Sequence, residues 1–265
     1  MTARAAAKHI PRKRFGQNFL VDEGVIAGIV AAIAPQPGDN LVEIGPGLGA
    51  LTAPLLDRLN RLHVIEIDRD LIARLRKRYD PDKLVIHEGD VLRFDFAVLG
   101  NDLRVAGNLP YNISTPLLFR FAEFAGRVRD VHVMLQREVV ERMVAAPGDS
   151  EFSRLSVMLQ YRFDMEKLFD VPAGAFDPAP KVESAVVRLT PLVPLPHPAR
   201  DEAVFSSIVA RAFAQRRKTL RNTLKGVIAA DEFARLNIDP GARAQELAVA
   251  DFVRIADALT TAVSA

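Results

Sequence analysis

Four short apolar runs in the first 110 residues each end on a glycine or a polar residue, with helical spacing between them. The most constrained is Asn40-Leu-Val-Glu-Ile-Gly-Pro-Gly-Leu-Gly49, which leads into ALTAPLLDRL. Strand, glycine turn and helix, in that order, open a nucleotide-binding α/β unit. Gly45, Gly47 and Gly49 let the backbone turn tightly and a ligand approach it closely.

The details choose among ligands. The spacing is G-x-G-x-G, not the dinucleotide pattern G-x-G-x-x-G, and Glu43 sits inside the strand two residues before Gly45. Both departures turn the reading from NAD to S-adenosylmethionine. That cofactor has no pyrophosphate to cradle, but its charged amino-acid tail needs polar neighbours. The second run, Leu62-His-Val-Ile-Glu-Ile-Asp68, places Glu66 where an acid can accept both ribose hydroxyls. The third, Lys83 to Asp90, ends on a carboxylate suited to an adenine amine. One strand-end acid is usually a cap or a solvated group. Four successive strand ends, each with the polar group such a site needs, point to a ligand at the carboxyl edge of an open sheet.

The fourth run is Arg104-Val-Ala-Gly-Asn-Leu-Pro-Tyr111. The Asn108 side-chain oxygen and the Leu109 carbonyl can each accept one hydrogen of an exocyclic amine. Pro110 stiffens the backbone that aims them, and Tyr111 offers a face for a base.

Composition narrows the classes. The chain has no cysteine, which excludes disulfides, thiolate catalysis and the cysteine-dependent methylation of cytosine carbon 5. His9, His63, His87, His132 and His197 show no metal-ligand spacing; His63, His87 and His132 fall in strands as structural residues, and no metal is expected. No uncharged apolar run reaches the ~18 residues that span a bilayer, and the basic N-terminus lacks an apolar signal core. A cytoplasmic protein away from membranes is expected.

The net charge is only +2, but basic residues gather at the two ends. Residues 1–14 hold five Lys/Arg and no acid, and read as a flexible segment. Near the other end, 215–225 (QRRKTLRNTLK) reads as a helix with Leu220 and Leu224 turned inward. Arg216, Arg217, Lys218, Arg221 and Lys225 then project outward to meet phosphates.

Strands are expected near 40–44, 62–67, 83–87, 103–107 and 130–135, with a helix over Val21–Ala34 and further helices between the strands. Two more strands, 163–171 and 183–190, are joined by a segment too short for a parallel crossover, so that pair is antiparallel. The fold class is α/β, a seven-stranded, doubly wound Rossmann-like methyltransferase sheet with an antiparallel last strand. It fills 15–190. A proline-rich linker, 191–199, leads to a small all-helical domain over 200–265 that binds RNA.

Over nearly its whole length the chain resembles the KsgA-type small-subunit ribosomal RNA adenine dimethyltransferases. The matching stretches are RFGQNFL (14–20), VEIGPGLG (42–49), VIEIDRDL (64–71), GNLPYNISTPLLF (107–119), MLQREVVERMVA (134–145), RLSVMLQY (154–161), VPAGAFDPAPKVESAVVRL (171–189) and AFAQRRKTLRNTL (212–224). The resemblance implies methyl transfer from S-adenosylmethionine to two adjacent adenosines in the 3′-terminal hairpin loop of small-subunit rRNA, in the assembling 30S subunit, by a monomer. It implies cofactor contacts at Gln17, Asn18, Leu20, Gly45, Gly47, Glu66, Asp90 and Asn108. It also implies a base-gripping site at Asn108, Leu109, Pro110, Tyr111 and Phe176, and RNA contacts that include Lys181. Ala179 stands where the family often has proline, which leaves Phe176 and Lys181 in place. An Erm-type large-subunit enzyme shares the pocket but lacks QRRKTLRNTL and RLSVM. A chain that mainly binds RNA as an assembly factor is the alternative of another class.

Overall fold

The computed structural model describes residues 17–263. The basic segment 1–14 lies outside them. In chain order the elements are β1 (Phe19–Leu20), α1 (Glu23–Ile33), β2 (Asn40–Ile44), α2 (Thr52–Leu56), β3 (Leu62–Glu66), α3 (Arg69–Arg78), β4 (Leu84–Glu88), β5 (Leu103–Asn108), α4 (Ser114–Glu123) and β6 (Val128–Gln136). There follow α5 (Arg137–Val144), α6 (Arg154–Gln160), β7 (Phe163–Val171), β8 (Phe176–Asp177), β9 (Ser184–Pro191), α7 (Glu202–Ala212), α8 (Leu220–Thr223), α9 (Ala230–Arg235) and α10 (Val249–Val263).

Seven strands form one sheet in the order β4-β3-β2-β5-β6-β9-β7. The pairs among β4, β3, β2, β5 and β6 are parallel, and β9 runs antiparallel to both β6 and β7. This is the expected doubly wound sheet with its antiparallel last strand. The order reverses between β2 and β5, so the connections that leave the carboxyl ends of those strands run in opposite directions and open a crevice.

Alternation along each strand fills both faces. In β2, Leu41 enters one core with Ile29, Val30 and Ile33 of α1, while Val42 and Ile44 enter the other with Leu117, Leu118 and Phe121 of α4. In β5, Val105 and Ala106 divide the same way. The first helix is trimmed by its caps. Asp22 accepts a hydrogen bond from the Val25 amide, and Ala34, at φ 46°, ends the helix before Pro35.

A third core gathers α7 and α10 around Phe205, Ile208, Phe252 and Ile255, but it also takes in Phe152, Val157 and Tyr161. Helix α6 therefore serves two cores: Leu155 and Leu159 face the sheet, and Val157 faces the helices. The proline-rich stretch is tied down, because the Ala199 amide donates to Tyr161 Oη at 3.0 Å and Leu195 packs on the helical core.

The helix expected over 215–225 is broken. Helix α7 ends at Ala212, residues 214–218 turn, and α8 is a single turn from Leu220. Tertiary bonds override the local periodicity, since the amides of Leu220 and Arg221 donate to the carbonyls of Ala242 and Pro240. Leu220 and Leu224 are nonetheless buried, and Arg216, Arg217, Lys218, Arg221 and Lys225 are exposed. Arg216 bonds to the Ser150 carbonyl, which leans this segment on the sheet domain.

Candidate active site

One cavity opens at the carboxyl ends of the parallel strands. Its lining includes Gln17, Asn18, Leu20, Gly45, Gly47, Glu66, Asp90, Asn108, Leu109, Pro110 and Tyr111. The residues proposed for cofactor binding, on four different strand ends and the β1 segment, thus converge on one space. Phe176 and Lys181 do not line it.

The glycine turn follows β2. Gly45 has φ 65°, and a Cβ there would meet nothing within 4 Å, so the backbone borders open space. Glycine at this φ leaves the peptide bare toward a ligand. Gly107, inside β5, answers a different need. A Cβ there would lie 2.6 Å from the Ile44 carbonyl oxygen, so β5 and β2 can approach this closely only without a side chain. That approach sets where Asn108 emerges.

Three acids line the cavity, and no Lys, Arg or His joins them among the described residues. Glu66 is 6% exposed. Its Oε1 accepts from the Ile67 and Asp68 amides at 2.8 and 2.9 Å, and its Oε2 accepts from Gly47 at 3.4 Å. Burial pushes its carboxyl above the usual range, against the pull of those amides. Glu43 is 2% exposed and accepts from Thr52 Oγ1 at 2.6 Å. Burial, opposed by that bond and reinforced by the charge on Glu66, raises it to about 7. Asp90 accepts from the Leu92 amide through Oδ1 at 2.9 Å, so it caps a turn while it lines the cavity. Asp68, fully buried, accepts from Gln17 Nε2 at 3.1 Å and fixes the start of the β1 segment against β3.

The tetrapeptide Asn108–Tyr111 leaves β5 with two acceptors unclaimed by any described residue. Asn108 Nδ2 donates to the Asn18 carbonyl at 3.1 Å. A carbonyl can only accept, so this bond turns the amide nitrogen away and leaves Oδ1 as the free acceptor. The Leu109 amide donates to the Met134 carbonyl at 3.1 Å, while no hydrogen bond from a described residue reaches the Leu109 carbonyl. Tyr111 is tied at its hydroxyl to Ser184 Oγ, 2.6 Å away.

Phe176 lies apart from the cavity lining. It is 4% exposed and packs in the core with Leu20, Val171 and Val186. It lies in β8, opposite Leu20 of β1, and the Ala175 carbonyl beside it accepts from the Val21 amide. Its ring packs beneath the β1 segment, which lines the cavity. A two-residue strand pair carries too little periodicity to be visible in sequence.

Glu43, which in the sequence only turned the reading away from a dinucleotide, lines the cavity as well. Among the described residues no group of three or more His, Asp or Glu could hold a metal ion. His63 and His87 lie in β3 and β4 with ring nitrogens 3.0 Å apart, a local pair away from the cavity.

Comparison with known proteins gives the same direction. The family model described as ribosomal RNA adenine dimethylase matches residues 8–261. The ribosomal RNA small subunit methyltransferase A of Thiobacillus denitrificans is 62% identical over 96% of this chain and 99% of its own length. That of Aromatoleum aromaticum is 63% identical over 94% of each. A dimethyladenosine transferase from Plasmodium falciparum has a similar structure, with a TM-score of 0.77 and 26% identity over 89% of this chain and 95% of its own. The 23S rRNA methyltransferase ErmE, at 24% identity and a TM-score of 0.72 over 92% of this chain and 100% of its own, shares the fold. With the family model spanning nearly the whole sequence and relatives above 60% identity, the chain belongs to the ribosomal RNA adenine dimethylase family.

Proposed function

We propose that this chain transfers methyl groups from S-adenosylmethionine to the exocyclic N6 amines of two adjacent adenosines in the 3′-terminal hairpin loop of small-subunit rRNA. The observation that carries the reading is the pair of unclaimed acceptors, Asn108 Oδ1 and the Leu109 carbonyl, beside a cavity whose described lining holds three acids and no Lys, Arg or His. Small-subunit methyltransferases at 62–63% identity favour the small subunit over the large as the substrate.

The residues fit the cofactor. S-adenosylmethionine, when bound, supplies an electrophilic methyl group on a positively charged sulfonium. Glu43, Glu66 and Asp90 set a negative potential around that charge and the cofactor's ammonium group, with no cation among the described lining to oppose it. Glu66, steadied by three backbone amides, would hold the ribose hydroxyls. Asp90 keeps Oδ2 for the adenine amine while Oδ1 caps its turn.

The tetrapeptide acts on the target base. An adenine amine is a poor nucleophile because its lone pair is delocalised into the ring. Accepting both amine hydrogens, on Asn108 and Leu109, favours the tetrahedral nitrogen that attack requires. These acceptors are preorganised, because Asn18 fixes one and the Met134 carbonyl anchors the other through its own amide. No side chain is assigned as a base, since the nitrogen becomes strongly acidic once it bears the new methyl and a positive charge. The adenosine must leave its stack to arrive, and the Tyr111 ring offsets part of that loss.

RNA is held by the exposed cations Arg216, Arg217, Lys218 and Arg221, with Lys181 and the basic N-terminal segment, on a monomer that meets the assembling 30S subunit in the cytoplasm. Among the described residues no helix is long and apolar enough to cross a membrane. Replacing the four C-terminal cations with Gln is expected to weaken subunit binding and leave cofactor affinity alone. Each lost phosphate contact flattens the plot of log affinity against log salt by roughly 0.7–0.9, so four flatten it by about 3 at most. Coincident slopes would move RNA binding elsewhere.

The reading is tested by incubating the protein with labelled S-adenosylmethionine and unmethylated small or large subunits, then mapping the modified nucleotides. Label on two adjacent adenosines of the small subunit is expected. Label confined to the large subunit, or absent from both, overturns it.

A further inference from the structure

Tyr111 and Ser184 lie 73 residues apart in sequence, yet their hydroxyl oxygens are 2.6 Å apart. Ser184 has no exposed surface and opens β9. There it pairs with Gln136 of β6 on one side and Val171 of β7 on the other, so its backbone is locked between two strands. Tyr111 sits on the turn after β5 and lines the cavity with its neighbours Asn108 and Leu109. A ring on a turn has rotamer freedom that a strand residue lacks. The hydroxyl bond ties its far end to the most constrained backbone nearby. Among the described residues no other group bonds to either hydroxyl, so this bond is what fixes the ring's angle. Asn108 is pinned from outside its own segment as well, by the Asn18 carbonyl, so both ends of the tetrapeptide are held by distant residues.

We infer that Ser184 is a positioning residue for methyl transfer, whose hydroxyl holds the Tyr111 ring at the angle on which the target adenine stacks. This rests on the adenine methylation proposed above. Ser184 lies outside the cavity lining, so it acts through Tyr111 and leaves cofactor binding unaffected. The inference also gives the start of β9 a function: it delivers the anchor for the stacking ring.

The test is a double-mutant cycle on single-turnover methylation of unmethylated small subunits at saturating S-adenosylmethionine. Ser184→Ala is expected to slow transfer about tenfold, the order of one neutral hydrogen bond, with the cofactor dissociation constant unchanged. Tyr111→Phe breaks the same bond from the other side without touching β9, and is expected to show a similar loss. The double variant should be no slower than either single one, because both remove one interaction. Ser184→Thr, which keeps the hydroxyl on a residue suited to a strand, should restore most of the rate. With 2-aminopurine at the target position, bound RNA should fluoresce more brightly in Ser184→Ala, as looser stacking quenches less. Additive losses, or a wild-type rate and quench in Ser184→Ala, overturn the inference. A wild-type chain that transfers no methyl to the small subunit overturns the proposed function and this inference with it. A wild-type chain that transfers normally, beside an unaffected Ser184→Ala, overturns the inference alone.

Discussion

At the amino ends of β2, β5 and β6, Asp39 and Asp130 lie against Arg104 and Arg129; at the carboxyl ends of β2 and β3, Glu43 and Glu66 face a cavity whose described lining holds no cation. All four acids are largely buried, but their carboxyls move in opposite directions. Burial pushes Asp39 up, yet bonds from the Gln36 amide and from Arg104 and Arg129 hold it below the usual carboxylate range. Burial pushes Asp130 up too, and His132 and Arg104 bring it below that range. Arg104, 7% exposed, closes this end with bonds to Asp130 at 2.8, 3.0 and 3.1 Å, to Asp39 at 2.7 Å and to the Ile33 carbonyl at 2.6 Å. At the other end no described residue of opposite charge balances Glu43 or Glu66, and both are raised. The sheet thus carries matched charges at one end, and unmatched acids where the proposed cofactor's cation would bind.

The largest effect should come from breaking the matched end. Arg104→Ala takes the guanidinium from Asp130, leaves Asp39 to Arg129 and the Gln36 amide, and is expected to destabilise the fold by about 3–5 kcal/mol, the scale for one partner removed from a buried pair. Urea unfolding measures it. Where the variant is still folded, its affinity for S-adenosylmethionine should equal that of the parent, because the two ends share a sheet but no side-chain contact. A small loss of stability would mean that Arg129 and the Gln36 amide suffice for Asp39, and that water suffices for Asp130.

The pH dependence should separate the ends next. Glu43 titrates at about 7 when folded, against an ordinary 4.5. The folded state therefore binds the extra proton between those values, and stability falls as pH rises through them. The full shift corresponds to about 3 kcal/mol as an upper bound. Glu43→Gln removes this slope, so its stability relative to the parent should rise by up to that amount between pH 4 and pH 8. Asp39 and Asp130 have the opposite sign. Their contribution is complete above their ordinary value and is lost only as pH falls below it, through their depressed folded values. Urea midpoints across pH 3–8 check both arms, and a parallel pair of curves for parent and Glu43→Gln would contradict the assignment of Glu43.

A smaller effect is expected from Glu66→Ala, which should weaken S-adenosylmethionine binding by roughly 1.5–3 kcal/mol, the range for hydrogen bonds to a charged group. Calorimetric titration of the RNA-free protein reads it. An unchanged dissociation constant would make Glu66 only the acceptor for the amides of Gly47, Ile67 and Asp68.

The two ends also differ in how plainly the sequence announces them. The carboxyl end is local: Gly45, Glu66, Asp90 and Asn108 each end a short apolar run, so periodicity and strand-end chemistry expose them one at a time. The amino end is assembled from residues 65 and 26 positions apart, Arg104 with Asp39 and with Asp130, and no spacing rule links them. Distance defeats local reading elsewhere too. Ser184 and Tyr111 meet only because β9 inserts antiparallel between β6 and β7. Phe176 is buried because β8 pairs with β1, two strands of two residues each. The basic segment was legible in charge but not in shape, since bonds from Leu220 and Arg221 to the 240–242 loop break the helix that its leucines foretell.

Asn108→Ala tests the central claim most directly, that the carboxyl end presents unclaimed acceptors to the target amine. The substitution deletes one of two preorganised acceptors and leaves Leu109, Glu66 and the glycine turn in place. With parent and variant both folded and saturated with S-adenosylmethionine, single-turnover methylation of unmethylated small subunits should fall by about 10²–10³-fold. A rate near that of the parent would contradict the account, because Asn108 would then be a link to Asn18 and not a participant in the chemistry.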